Sequence, residues 1–71
     1  RYEYQKAAAK LRDQILSGEL KPLQRLSGER DLCHELGVSR ITVRLALDLL
    51  EKQNFVVRRH GSGTYVSNHP M

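Results

Sequence analysis

Gly37-Val38-Ser39-Arg40-Ile41-Thr42-Val43-Arg44-Leu45-Ala46-Leu47 is the stretch on which the reading of this chain turns. Val43, Ala46, Leu47 and Leu50 recur at i, i+3, i+4 and i+7, the stripe of a helix with one buried face. Ser39 stands just ahead of that stripe, where a hydroxyl can accept a hydrogen bond from a free N–H of the first turn. The spacing predicts a helix capped by Ser39 and running to about Gln53. Upstream, Leu32, Cys33 and Leu36 form a shorter stripe that Gly37 ends, with Val38 as an apolar plug in a very short turn. This predicts a helix over about residues 28–36, with Ser27 as its N-cap. Glu29 and Asp31 then fall in the first turn, where the helix dipole favours acids.

Two helices joined by a turn of three or four residues containing glycine form a helix-turn-helix. Its second helix lies in the major groove of DNA with its N-terminal residues toward the base edges. Here that opening turn carries Ser39, Arg40, Thr42 and Arg44, and the two arginines, four apart, share a face. An arginine fork can bond both O6 and N7 of guanine or grip a phosphate. The Ser39 and Thr42 hydroxyls, with the free N–H groups of a helix start, suit phosphate oxygens. Ile41, if it faces the groove, meets a thymine methyl. An isolated pair such as Arg40 and Arg44 would ordinarily be solvated charge; their place at the start of a capped helix after a glycine turn argues otherwise. The reading requires that turn to face outward. Arginines pinned to acidic neighbours, or a turn covered by the rest of the chain, would count against it.

Working outward, Tyr4, Ala8, Leu11 and Ile15 recur at spacings of 4, 3 and 4, predicting a helix over about 3–17 that Gly18 ends in a left-handed cap. Tyr2 just ahead of this helix, and Lys6 and Lys10 on it, are within the range of residues that brush a DNA backbone, although the helix's main task is packing. Lys21-Pro22 forces an extended connector. Downstream, Phe55-Val56-Val57-Arg58-Arg59 and Thr64-Tyr65-Val66 are β-prone, and His60-Gly61-Ser62-Gly63 between them permits positive φ. A hairpin over 56–66 follows, with a basic edge of Arg58, Arg59 and His60 leading to a slim tip at Gly61, suited to a DNA backbone or minor groove. Asn68-His69-Pro70-Met71 has the look of a frayed end or the start of a linker. The expected fold is mainly α with a small β-hairpin: three helices plus a wing, a winged helix-turn-helix.

Composition narrows the alternatives. Seventy-one residues make one domain, 1–71, with little room for a large concave pocket. Twelve Lys and Arg stand against eight Asp and Glu, and the excess sits in the C-terminal half. Residues 1–36 carry seven basic and six acidic side chains, a net of +1, and residues 37–71 five and two, a net of +3. The single Cys33 allows no internal disulfide, which fits a reduced, cytoplasmic setting. No run approaches the roughly 20 apolar residues of a membrane span, so no membrane partner is expected. Cys33, His34, His60 and His69 lack a metal-ligand spacing, no nucleophile sits in an activating context, and the glycine tip lacks the Lys-Ser/Thr of a phosphate loop. Neither an enzyme, a metal nor a cofactor is expected. A winged helix serving as a protein-interaction module is the rival reading, and it predicts apolar exposure on the third helix and little salt dependence.

The order of motifs resembles the GntR family of bacterial transcription regulators. Leu11-Arg12-Asp13-Gln14-Ile15-Leu16-Ser17-Gly18-Glu19-Leu20, Ser27-Gly28-Glu29-Arg30-Asp31-Leu32, Gly37 to Leu47, and Arg59-His60-Gly61-Ser62-Gly63-Thr64-Tyr65-Val66 carry the likeness, over nearly all of residues 4–67. It implies DNA contacts at Arg30, Ser39, Arg40, Thr42 and Arg44, and at His60 and Gly61 in the wing. It implies a repressor more often than an activator, a homodimer on a near-palindromic operator of double-stranded DNA, and a small-molecule effector bound by a further C-terminal domain. The runs Ile41-Thr42-Val43-Arg44 and Leu47-Asp48-Leu49-Leu50 look most like the HutC-type branch. Three positions depart from the family pattern: Pro22-Leu23 stands for Pro-Gly, Leu26-Ser27-Gly28-Glu29 for Leu-Pro-Ser-Glu, and Gln53-Asn54 for Glu-Gly.

Overall fold

A computed structural model describes residues 3–68 of the chain. Three helices come first, α1 (Glu3–Leu16), α2 (Glu29–Leu36) and α3 (Arg40–Lys52), followed by strands β1 (Val56–Arg59) and β2 (Gly63–Val66). The strands pair antiparallel with Val56 opposite Val66 and Arg59 opposite Gly63, leaving residues 60–62 as the tip. This is the winged helix-turn-helix expected from the sequence. Tyr2 and the tail from His69 to Met71 lie outside the described residues.

The predicted stripes are the core. Ala8, Leu11 and Ile15 of α1, Leu32 of α2, and Val43, Ala46, Leu47 and Leu50 of α3 are buried, with Tyr4, Cys33, Leu36 and Val38 packed half-buried at their margin. Leu26, Phe55, Val56 and Val66 close the base from the connector and the wing. At roughly 25 cal/mol per Å² of apolar surface removed from water, each fully buried Leu or Val contributes about 1.5–3 kcal/mol against leaving it exposed.

Local chemistry sets the joints. Gly37 ends α2 in the left-handed conformation (φ 68°), and its N–H bonds to the Cys33 carbonyl. Asn54 takes the equivalent position after α3 at φ 67°, so the turn survives without glycine. Leu23 also sits at φ 69°, where the family pattern has glycine. The Pro-Gly turn is thus retained with a leucine in it, at a cost of about 1–2 kcal/mol for a left-handed L-residue. The N-cap of α2 requires a correction: it is Gly28, with no side-chain cap bond, and Ser27 instead donates its hydroxyl to Glu35 Oε2 at 3.0 Å. The serine lies one residue too early for its hydroxyl to reach the free amides.

The connector does more than link. Leu23 N donates to Val66 O at 3.0 Å, Leu26 N to Thr64 O at 2.8 Å, and Val66 N to Gln24 O at 2.8 Å. Arg25 thereby bridges Tyr65 antiparallel, and residues 23–26 form a strap along the outer side of β2. Because side chains alternate across a pleated sheet, Leu26, Val66 and Val56 point into the core. Leu23, Arg25, Tyr65, Val57 and Arg59 fall on the opposite face.

Candidate nucleic-acid interface

The opening turn of α3 is built by its cap. Ser39 Oγ accepts the Thr42 N–H at 3.2 Å and donates to Thr42 Oγ1 at 3.0 Å, which ties the two hydroxyls together at the start of the helix. With Val43, Ala46, Leu47 and Leu50 fixed inward, Arg40, Ile41, Arg44 and Leu45 must face solvent. Ile41 is 70% exposed and Leu45 44% exposed, so the outward face carries apolar as well as cationic side chains. The turn is not covered by the hairpin.

Glu29, in the first turn of α2, sits between the two arginines. Its carboxylate lies 3.2 Å from Arg40 Nε and 3.1 Å from Arg44 Nε, the latter bond shared between both oxygens. Both arginines are therefore paired with an acidic neighbour, the arrangement expected above to count against DNA reading. Its magnitude decides how much. The guanidinium-bearing side chains are 60% and 58% exposed, and exposed pairs contribute about 0–1 kcal/mol. A bidentate base contact is worth about 1–3 kcal/mol. Both pairings run through Nε, and among the described residues no hydrogen bond ends on the Nη atoms of either side chain. The carboxylate orients the forks without closing them. Sequence reasoning placed Glu29 only as a dipole-favoured acid, because its partners lie across a helix packing contact.

Arg30, next along α2, is exposed, and its side chain has no ion pair or hydrogen bond among the described residues. Arg59 and His60 are likewise exposed, without a side-chain partner among the described residues. The wing tip is a short turn closed by Ser62 N on Arg59 O at 3.0 Å, and Gly61 within it adopts φ 76°.

Arg58 is placed differently from its neighbour. Alternation puts it on the face of Val56, toward α3, where its Nη2 contacts Asp48 Oδ1 and bonds Glu51 Oε1 at 2.8 Å. Its Nε bonds the same Glu51 oxygen at 3.1 Å, and its backbone N–H reaches Glu51 Oε2 at 3.3 Å. The hydrogen bonds from Arg58 hold the Glu51 carboxyl below its ordinary 4.5, against a smaller opposing effect of burial. The Arg58 guanidinium is pushed up in turn, mainly by its bond to Glu51. This side chain braces β1 against α3, while Arg59, one residue on, faces out. A period of two counted from buried Val56 would have separated the two arginines from the sequence alone.

Among the described residues no helix is long and apolar enough to cross a membrane. The chain is 49% identical over 63 residues to the mannosyl-D-glycerate transport/metabolism system repressor MngR of Escherichia coli, covering 89% of this chain and 26% of that protein. It is 40% identical over 68 residues to the transcriptional repressor NagR of Bacillus subtilis, covering 96% and 28%. It thus spans about a quarter of the length of these curated relatives. Among solved structures, the DNA-binding domain of AraR in complex with operator ORX1 superposes with a TM-score of 0.87 at 31% identity, over 92% of this chain and 78% of that one. Residues 3–66 match the family described as "Bacterial regulatory proteins, gntR family", and by that match and these identities the chain belongs to it.

Proposed function

We propose that this chain reads double-stranded DNA in a sequence-specific way as the DNA-binding end of a transcription repressor. One observation carries the reading: an outward-facing helix start where Arg40, Arg44 and Ile41 share one exposed surface. In this reading α3 enters the major groove, Arg40 and Arg44 read bases, and Ile41 packs on a thymine methyl. Ser39, Thr42 and Arg30 hold phosphates, and Arg59, His60 and Gly61 bring the wing to the minor groove or backbone. Arg58, braced on Asp48 and Glu51, acts as a strut for β1. The operator complex of AraR and the repressor names of MngR and NagR support the reading.

The full protein would act as a cytoplasmic homodimer, its two heads on half-sites about one helical turn apart. A domain beyond this chain would bind a sugar- or amino-acid-like effector, as in the HutC-type branch that the α3 sequence favours. Selection of duplexes from a randomised library gives the operator, and titrations on it test the residues. Arg40→Ala and Arg44→Ala should each cost about 1–3 kcal/mol and relax preference at one base pair. Wild-type binding by the Arg30, Arg40 and Arg44 variants together would overturn the assignment.

The exposed Ile41 and Leu45 also satisfy what a protein-docking helix would show. Salt separates the two readings: DNA binding through several phosphates falls steeply with ionic strength, whereas an apolar contact does not.

A further inference from the structure

Arg25 lies 34 residues before Arg59 in sequence, yet the strap places it on the same outer face of the wing. Its Nε donates to the Ser62 carbonyl at 3.1 Å, across the tip. Its guanidinium lies flat against Gly63: a Cβ built there would stand 2.7 Å from Nε, 3.2 Å from Nη2 and 3.3 Å from Cζ. Gly63 is also the residue opposite Arg59 across the hairpin. The missing side chain therefore leaves room that the Arg25 guanidinium occupies, and Arg59 stands across the hairpin from it. Arg40, Arg44 and Arg58 each have a carboxylate partner. Arg25 and Arg59 have none among the described residues, and Arg25's one side-chain bond is to a neutral carbonyl.

We infer that Arg25 and Arg59 form a two-guanidinium seat for a single DNA phosphate at the base of the wing, with Gly63 as the floor that lets Arg25 lie across it. This rests on the reading of the wing as a DNA contact and adds a residue that neither the wing motif nor its charge run contains. Both side chains are exposed, and guanidiniums with free Nη donors suit the tetrahedral oxygens of a phosphodiester, which accept from two forks at once. The bond to Ser62 fixes the fork beforehand, so little rotamer freedom is lost on binding. The Ser62 hydroxyl, 2.7 Å from Tyr65 Oη, steadies the same turn from the other side.

The test uses the duplex selected by the wild-type protein, with single phosphates replaced in turn by neutral methylphosphonate. At one position beside the wing, neutralisation should weaken wild-type binding about tenfold, the value of a lost charge-assisted hydrogen bond. At that position alone, Arg25→Gln and Arg59→Gln should each show less than about threefold further loss, since their contact is already gone. Gly63→Ala, which keeps both arginines but drives Arg25 off, should mimic Arg25→Gln; its thermal melt guards against a merely unfolded variant, and Arg25→Lys should fall between. If the Arg59→Gln protein loses sensitivity there but Arg25→Gln responds like wild type, the seat is wrong and the wing contact stands. If the wild type has no sensitive phosphate beside the wing, the wing reading fails and the seat with it.

Discussion

Glu29 shows what a single carboxylate does when two guanidiniums converge on it. Held 3.2 and 3.1 Å from Arg40 and Arg44, it fixes the direction of both forks and removes one positive charge from the surface they share. Glu29→Gln should therefore have opposite effects on two kinds of binding. Affinity for random duplex should rise several-fold, because a charge that repels phosphate is gone. Preference for the selected operator should fall, because the forks are no longer held to one orientation. Competition titrations with specific and random duplex report both at once, and a parallel rise in both affinities would show that Glu29 only tunes charge. Its part was hidden in the sequence for a definite reason: eleven and fifteen residues separate it from its partners, and only the packing of α2 on α3 brings them together. Arg25 was hidden likewise, its partner carbonyl being 37 residues away.

Helices and strands record where sequence periodicity was sufficient. Every residue of the predicted α3 stripe is buried, and the glycine turn and hairpin fall where the residues placed them. Ends were less legible, because Ser27 and Gly28 both precede the acidic first turn and only coordinates distinguish which one caps it. The strap shows a second kind of gap, since a tetrapeptide paired at one bridge has no period to detect. Its strained Leu23 gives a direct measurement. The side chain is exposed and its amide is bonded to Val66 O, so Leu23→Gly keeps the contacts and releases the left-handed strain. After the greater chain entropy of glycine is set against it, a gain of up to about 1 kcal/mol in urea or thermal unfolding is expected. The brace between α3 and β1 gives a pH test. Glu51 has its carboxyl lowered by Arg58, so the stability it adds is complete above the ordinary 4.5 and is lost as pH falls through the lowered value. Arg58 stays charged throughout. Glu51→Gln should flatten the decline of melting temperature below pH 4.5, with a small effect at neutrality because the pair is partly exposed.

As a whole the domain has one core, shared by three helices and the wing, and nothing in reserve. At about 0.05–0.15 kcal/mol per residue a chain of this length holds roughly 4–10 kcal/mol. Leu47, 1% exposed, is packed from both sides, and Leu47→Ala should remove about 2–5 kcal/mol. Circular dichroism should show one cooperative transition shifted down by at least about 8 °C, at about 4–8 °C per kcal/mol, with the exposed opening turn of α3 lost in the same step. Two separate transitions would show that the wing melts independently of the helices.

The bond from the Arg58 amide to Glu51 reaches beyond pH. With the strap occupying the far side of β2, the hairpin keeps one open border among the described residues, along β1. That border is four residues long, bears two arginines, and has its Arg58 N–H already taken by a carboxylate. A neighbouring polypeptide seeking to zip onto it finds charge and a blocked donor. That border is therefore a poor template for edge-to-edge association between copies of the domain.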